Sequence, residues 1–278
     1  MRALLTAHGL RPSRALGQHY LVDPNTARKV VRLAQVTAGE TVLEVGPGLG
    51  SLTLALREAG ARVVAVEADE RLLPALAEAL GEDPDVRVVA ADAVRADLAG
   101  LAPDAHRVVA NLPYNVAATL VLRLLIDFPQ YQRLTVMVQR EVGERLAAAP
   151  GTDAYGATSA KVAALAEARV LAPVSRRVFL PEPHVDSVLV GLTRTGEHPA
   201  VAGVPWATLD RVIEAAFSQR RKTLRNALRT LGLDPGEVEA LGRAAGVDLA
   251  LRAERLDVPA FAALAGTLEG VDRVGPEG

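Results

Sequence analysis

Asn111-Leu112-Pro113-Tyr114 is the stretch whose residue types most narrowly define a chemistry. An amide side chain, a backbone carbonyl in a proline-stiffened turn and an aromatic ring together suit an exocyclic amine on a flat heterocycle. Such an amine is a poor nucleophile, because its lone pair is delocalised into the ring. The Asn111 side-chain oxygen and the Leu112 carbonyl can accept its hydrogens and favour a pyramidal nitrogen. Pro113 aims them and Tyr114 can stack on the base, so these four are the candidate catalytic residues. No nucleophile and no metal are needed if the group to be transferred arrives already activated. Read in isolation, the same letters also describe an ordinary Asn-Pro turn.

A ligand site is expected at Glu44-Val45-Gly46-Pro47-Gly48-Leu49-Gly50, where a buried strand gives way to a helix. Gly46, Gly48 and Gly50 let a ligand approach the backbone at the helix N-terminus. A dinucleotide fingerprint places its third glycine at position 51, which is Ser51 here, with the glycine one residue earlier. That spacing favours a nucleoside ligand without phosphates over a pyrophosphate. Glu67, 21 residues after Gly46, ends the next strand and can accept both ribose hydroxyl hydrogens. Asp92 follows a third strand and suits an adenine amino group. Taken singly, Glu67 can be a solvated strand end and Asp92 a helix cap; their order at successive strand ends argues for a site.

Strand and helix must alternate to place these residues on one edge, and from 41 to 139 they do. Strands are expected at 41–45, 62–67, 86–90, 107–110 and 134–138, with helices at 26–35, 52–59, 71–80 and 117–127. This rhythm implies a mostly parallel sheet with helices on both faces. A charged helix after Arg140, a loop at 151–156 and strands at 168–174 and 187–193 complete a first domain, 1–195. A Gly/Pro linker at 196–205 leads to a small helical domain, 205–270, with helices at 206–217, 220–231, 235–245 and 258–268. Residues 271–278 read as a disordered tail.

The stretch 217–229 holds five basic residues, Arg220, Arg221, Lys222, Arg225 and Arg229, and no acid. As one helix it would align Arg221, Arg225 and Arg229 in a stripe able to follow a phosphate backbone; a merely solvated face is the plainer alternative. The overall formal charge of −2 is not that of a globally basic nucleic-acid binder, so any such surface must be local. With no cysteine, the chain has neither a disulfide framework nor a thiolate metal site. No signal peptide and no apolar run of about 20 residues is apparent, so a soluble cytoplasmic protein without a membrane partner is expected.

These motifs resemble the adenine-N6 rRNA dimethyltransferases of the KsgA type, over nearly the whole chain. Leu16-Gly17-Gln18-His19-Tyr20-Leu21 is similar to the family's N-terminal cofactor motif, with His19 and Tyr20 where Asn and Phe are usual. Val138-Gln139-Arg140-Glu141, Tyr155-Gly156 and the loop from Phe179 to Ser187, Phe-Leu-Pro-Glu-Pro-His-Val-Asp-Ser, also look like family segments. The resemblance implies a Rossmann-like class I methyltransferase, an α/β fold with a small all-helical C-terminal domain, and S-adenosylmethionine as cofactor. It implies cofactor contacts from Gln18, His19, Leu21, Gly46, Gly48, Gly50, Glu67, Asp92 and Asn111. Phe179 would pack on the target adenine opposite Tyr114, and Arg220 to Arg229 would head the RNA-binding domain. The implied substrate is a pair of adjacent adenines in the 3′-terminal hairpin loop of 16S rRNA, within the assembling small subunit, with the enzyme a monomer. The related enzyme of 23S rRNA and a non-catalytic assembly factor of the same fold remain alternatives.

Overall fold

Runs of β-branched residues flanked by helical periods become the strands of an α/β sheet in the computed structural model, which describes residues 2–12, 17–195, 201–219 and 221–273. Leu16, Arg220, residues 196–200 of the expected linker and residues 274–278 of the expected tail lie outside the described residues. The strands are β1 (Tyr20–Leu21), β2 (Thr41–Val45), β3 (Arg62–Glu67), β4 (Val86–Ala90), β5 (Arg107–Asn111), β6 (Arg133–Gln139), β7 (Ala166–Val174), β8 (Phe179–Leu180) and β9 (Ser187–Arg194). Seven form one sheet in the order β4-β3-β2-β5-β6-β9-β7, while β1 and β8 pair separately and antiparallel. Neighbours from β4 to β6 are parallel, and β9 runs antiparallel to β6.

Chain order reverses between β2 and β5: β3 and β4 extend to one side and β6 to the other. The crevice at the carboxyl ends of strands beside such a switch point is where open α/β sheets take ligands. Helices Ser51–Glu58, Leu73–Leu80 and Ala117–Ile126 make the crossovers. Val42, Leu56, Ala65 and Val109 are buried in the core between sheet and helices; a fully buried Leu or Val contributes about 1.5–3 kcal/mol. Helix Pro24–Leu33 begins where the Asp23 carboxylate accepts from Thr26 N at 2.9 Å, and it buries Ala27, Val30 and Val31.

By packing, the chain divides into two compact units, one of 1–144 and 168–194, the other of 145–167 and 195–278. A single boundary near residue 200 therefore does not describe it: helix Ala157–Leu165 packs with the later helices. The second unit is built around Phe261, Leu209, Val212, Ile213 and Leu264, with Tyr155 donating to the Leu256 carbonyl at 2.9 Å. Lys161, also of this unit, is buried between Asp210, 2.7 Å away, and Glu214.

The basic stretch is not one helix. Helix Trp206–Phe217 stops, Thr223 is extended, and a new short helix, Leu224–Ala227, passes into a 3-10 turn, Leu228–Leu231. Leu224 N and Arg225 N donate to the carbonyls of Leu251 and Leu249 at 2.8 and 3.1 Å. Those amides are free to do so only at a helix start, which is why the expected continuous helix breaks here. Among the described residues no helix is long and apolar enough to cross a membrane.

Candidate active site

The carboxyl ends of β2 to β5 open into a cavity of about 360 Å³, within the ~300–1,000 Å³ of small-molecule sites. Gly46, Gly48, Glu67, Asp92 and Asn111 to Tyr114 all line it, so the strand-end residues and the tetrapeptide meet in one place. All belong to the first unit.

Gly48 sits at φ 58°, and a Cβ there would come within 2.9 Å of the Tyr20 ring, so only glycine fits. Its amide donates to Glu67 Oε2 at 3.1 Å, and the Asp69 amide donates to Oε1 at 2.9 Å. Each carboxylate oxygen thus spends one acceptor site on backbone and keeps another for a ligand hydroxyl. Burial raises the Glu67 carboxyl above its ordinary value, against the pull of these amides. The Arg71 guanidinium holds Asp69 below its ordinary value, and Asp69 accepts from Gln18 Nε2 at 2.8 Å. Tyr20 donates its hydroxyl to Gln18 Oε1 at 2.8 Å, which ties the segment before β1 to the cavity wall.

Asp92 lines the cavity and closes the turn after β4 rather than capping a helix: Oδ1 accepts from Val94 N at 2.9 Å, while Oδ2 stands 3.7 Å from Arg95 Nε. On the opposite wall Asn111 Nδ2 donates to the His19 carbonyl at 3.0 Å. A carbonyl only accepts, so the other end of the amide, Oδ1, is left as an acceptor. Leu112 is fixed by its amide donating to the Met137 carbonyl at 3.1 Å. Tyr114 is pinned at both ends: its hydroxyl bonds Ser187 Oγ at 2.6 Å, and its ring stacks on His19 with centroids 5.0 Å apart. Burial raises the Tyr114 phenol, keeping it protonated.

Residues 10–268 match the family described as ribosomal RNA adenine dimethylase. The chain belongs to that family. It is 46% identical over 267 residues to ribosomal RNA small subunit methyltransferase A of Phenylobacterium zucineum, covering 95% of this chain and 91% of that protein. To the protein of the same name from Kineococcus radiotolerans it is 46% identical, covering 100% and 93%. Among solved structures, a dimethyladenosine transferase from Plasmodium falciparum superposes with a TM-score of 0.75 at 23% identity, covering 92% of this chain and 98% of that one. The 23S rRNA methyltransferase ErmE superposes at 0.63 with 26% identity, covering 90% and 99%. The Rossmann-like methyltransferase fold expected from the motifs is the fold observed.

Not every residue that the resemblance assigned to the site lies at the cavity. Gln18 and His19 line it, whereas Leu21 and Gly50 do not: Leu21 is buried against helix Pro24–Leu33, and Gly50 caps helix Ser51–Glu58 at φ 82°. Phe179, expected opposite Tyr114, is 3% exposed and packed in the core with Leu21, Val174 and Leu189. Its pairing with Leu21 across β1 and β8 holds it there, and the ring that faces Tyr114 is that of His19. Tyr20 and Ser187, quoted only within family motifs, were given no role at the site, and Asp69 was not singled out at all. Asp69 was the findable one, a second carboxylate two residues past Glu67. In the second unit Lys222 and Arg229 line an open depression with Gln219, Asn226 and Thr230. Arg221 is exposed in the preceding turn, and exposed Arg225 is ion-paired with Glu239.

Among the described residues no group of three or more His, Cys, Asp or Glu is arranged to hold a metal ion.

Proposed function

We propose that this protein transfers methyl groups from S-adenosylmethionine to N6 of two adjacent adenines in the 3′-terminal hairpin loop of 16S rRNA, within an assembling small subunit. The Asn111 amide carries the reading: its nitrogen is committed to the His19 carbonyl, so Oδ1 can take a hydrogen from an incoming exocyclic amine. The residues present also fit the cofactor. Glu67 retains acceptor sites suited to ribose hydroxyls, Gly48 removes the Cβ that would crowd the wall, and Asp92 Oδ2 suits an adenine amino group. S-adenosylmethionine, when bound, supplies an activated methyl on a sulfonium.

The chain's own residues then orient and polarise. Asn111 Oδ1 and the Leu112 carbonyl accept the two amine hydrogens and localise the nitrogen lone pair, and Tyr114 stacks on the base to hold the amine in line. Lys222 and Arg229, with Arg221 nearby, contact RNA phosphates. Specificity for the small subunit is supported by the name of the closely similar relatives, whereas the large-subunit enzyme shares only 26% identity. The intact set of Glu67, Asp92 and Asn111 favours an enzyme over a non-catalytic assembly factor of the same fold.

The test is transfer of radiolabelled methyl to immature small subunits, followed by nucleoside analysis of the rRNA. Dimethyladenine in 16S rRNA is expected. Label confined to 23S rRNA, or no label despite measurable binding of cofactor and RNA, would overturn the assignment.

A further inference from the structure

Tyr114 leaves the turn after β5, yet its hydroxyl is bonded to a residue two strands away. The sheet runs β5-β6-β9, and β9 is antiparallel to β6 with Ser187 opposite Gln139. The start of β9 therefore lies at the carboxyl end of β6, on the edge where the parallel strand β5 delivers Asn111. Ser187 Oγ and the Tyr114 hydroxyl are 2.6 Å apart. Ser187 is fully buried, whereas Tyr114 is only partly buried and lines the cavity. The serine is itself held through the residue before it. The Asp186 carbonyl accepts from Arg140 N at 3.0 Å, and the Asp186 carboxylate accepts from Arg176 N at 3.0 Å and from Arg140 Nη2 at 3.1 Å. These bonds tie both flanks of the loop after β8, so Ser187 Oγ is a fixed anchor.

We propose that Ser187 is a positioning residue for the target base: its hydroxyl sets the tilt of the Tyr114 ring, the plane on which the adenine stacks. This rests on the adenine-N6 reading above. A tyrosine ring turns about two side-chain torsions, of which the outer is broad. A bond at the phenol end, reaching across β6 to β9, restrains both at once. Ser187 itself does not line the cavity and acts through Tyr114. Locking a site's side chain from behind in this way holds the productive geometry. A small displacement of the amine from the transfer line then costs rate more than binding.

The bond can be broken from either end. Ser187→Ala removes the anchor and keeps the tyrosine; Tyr114→Phe removes the hydroxyl and keeps the stacking ring. Both variants, the double variant and wild type are compared by calorimetric affinity for S-adenosylhomocysteine and by single-turnover methylation of immature small subunits at saturating RNA and cofactor. Cofactor affinity is expected to stay within about two-fold in all four, which also shows that each is folded. The saturated rate should fall about ten-fold in each single variant, equal to roughly 1.4 kcal/mol, and no further in the double, because one shared bond is lost. A wild-type rate in Ser187→Ala, or a double variant as slow as the product of the two single effects, would overturn the role. Should Ser187→Ala also lose the cofactor, Tyr114→Phe decides alone, since it leaves β9 untouched: a wild-type rate there overturns the role and a ten-fold fall supports it. If wild type itself methylates no adenine N6, the functional reading fails first and this role with it; if wild type methylates and Ser187→Ala matches it, only the Ser187 assignment fails.

Discussion

Glu67 joins two turns of the cavity wall through one carboxylate, taking the Gly48 amide on Oε2 at 3.1 Å and the Asp69 amide on Oε1 at 2.9 Å. The glycine turn after β2 and the turn after β3 are thereby held in register by a side chain that also lines the cavity. Both amides donate, so both carboxylate positions must accept.

Glu67→Gln breaks that requirement with no change of size, because the amide NH2 must face one of the two N–H groups. A donor left facing a donor in a buried site costs about 1–3 kcal/mol. Calorimetry with S-adenosylhomocysteine should show affinity reduced by about ten-fold or more, with less heat released. Unchanged affinity would remove Glu67 from the ligand site.

Asn111→Ala deletes the acceptor and also the donor that His19 orients. By analogy with loss of one pre-organised donor or acceptor in other active sites, methyl transfer should fall about 10²- to 10³-fold. Filter binding should show RNA affinity within about two-fold of wild type, since phosphate contacts dominate such affinity. Methylation near the wild-type rate would mean that the amine is held elsewhere.

What was legible in the sequence is what local patterning dictates. β2 and β3 are buried β-branched runs between turn signals, and their observed bounds, Thr41–Val45 and Arg62–Glu67, are those expected from the run lengths. Helix Ala157–Leu165 escaped notice because Ser159, Ala160, Lys161, Val162 and Ala164 are all buried, which leaves no amphipathic period. Lys161 is stable there through Asp210 and Glu214, about 50 residues on, and no local window contains that pairing. The 220–231 stripe failed for the same reason in reverse: its spacing is helical, but the carbonyls of Leu249 and Leu251 claim the amides at Arg225 and Leu224. Phe179 could be assigned to the target base only by resemblance, and its pairing with Leu21 places it in the core.

The basic residues of the second unit are not equivalent. Lys222 and Arg229 face an open depression, whereas Arg225 already pairs with Glu239. Replacing Lys222 or Arg229 with Ala should weaken RNA binding and reduce the slope of log affinity against log salt by about 1 each. Arg225→Ala should change the slope less, because its charge is already partly compensated. Equal slopes for all three variants would show that the Glu239 pair opens when RNA binds.

Glu44 lies at the end of the buried strand β2, 1% exposed, with Oε2 lacking a hydrogen-bond partner. Burial pushes its carboxyl from 4.5 up to about 8, against the pull of the neighbouring Thr53 hydroxyl, and the Glu67 charge adds a smaller push upward. Between those values the folded chain keeps a proton that the unfolded chain has lost. Stability from this group is therefore fully present below the ordinary carboxylate value and is lost as pH rises through the folded value. Glu44→Gln retains the shape and cannot ionise, so it lacks this loss. Urea unfolding at about pH 5 and about pH 8 should show the variant gaining stability relative to wild type as pH rises. A difference between the two proteins that is flat across the window would mean that Glu44 is ionised in the folded chain, held by a buried donor such as the neighbouring Thr53 hydroxyl.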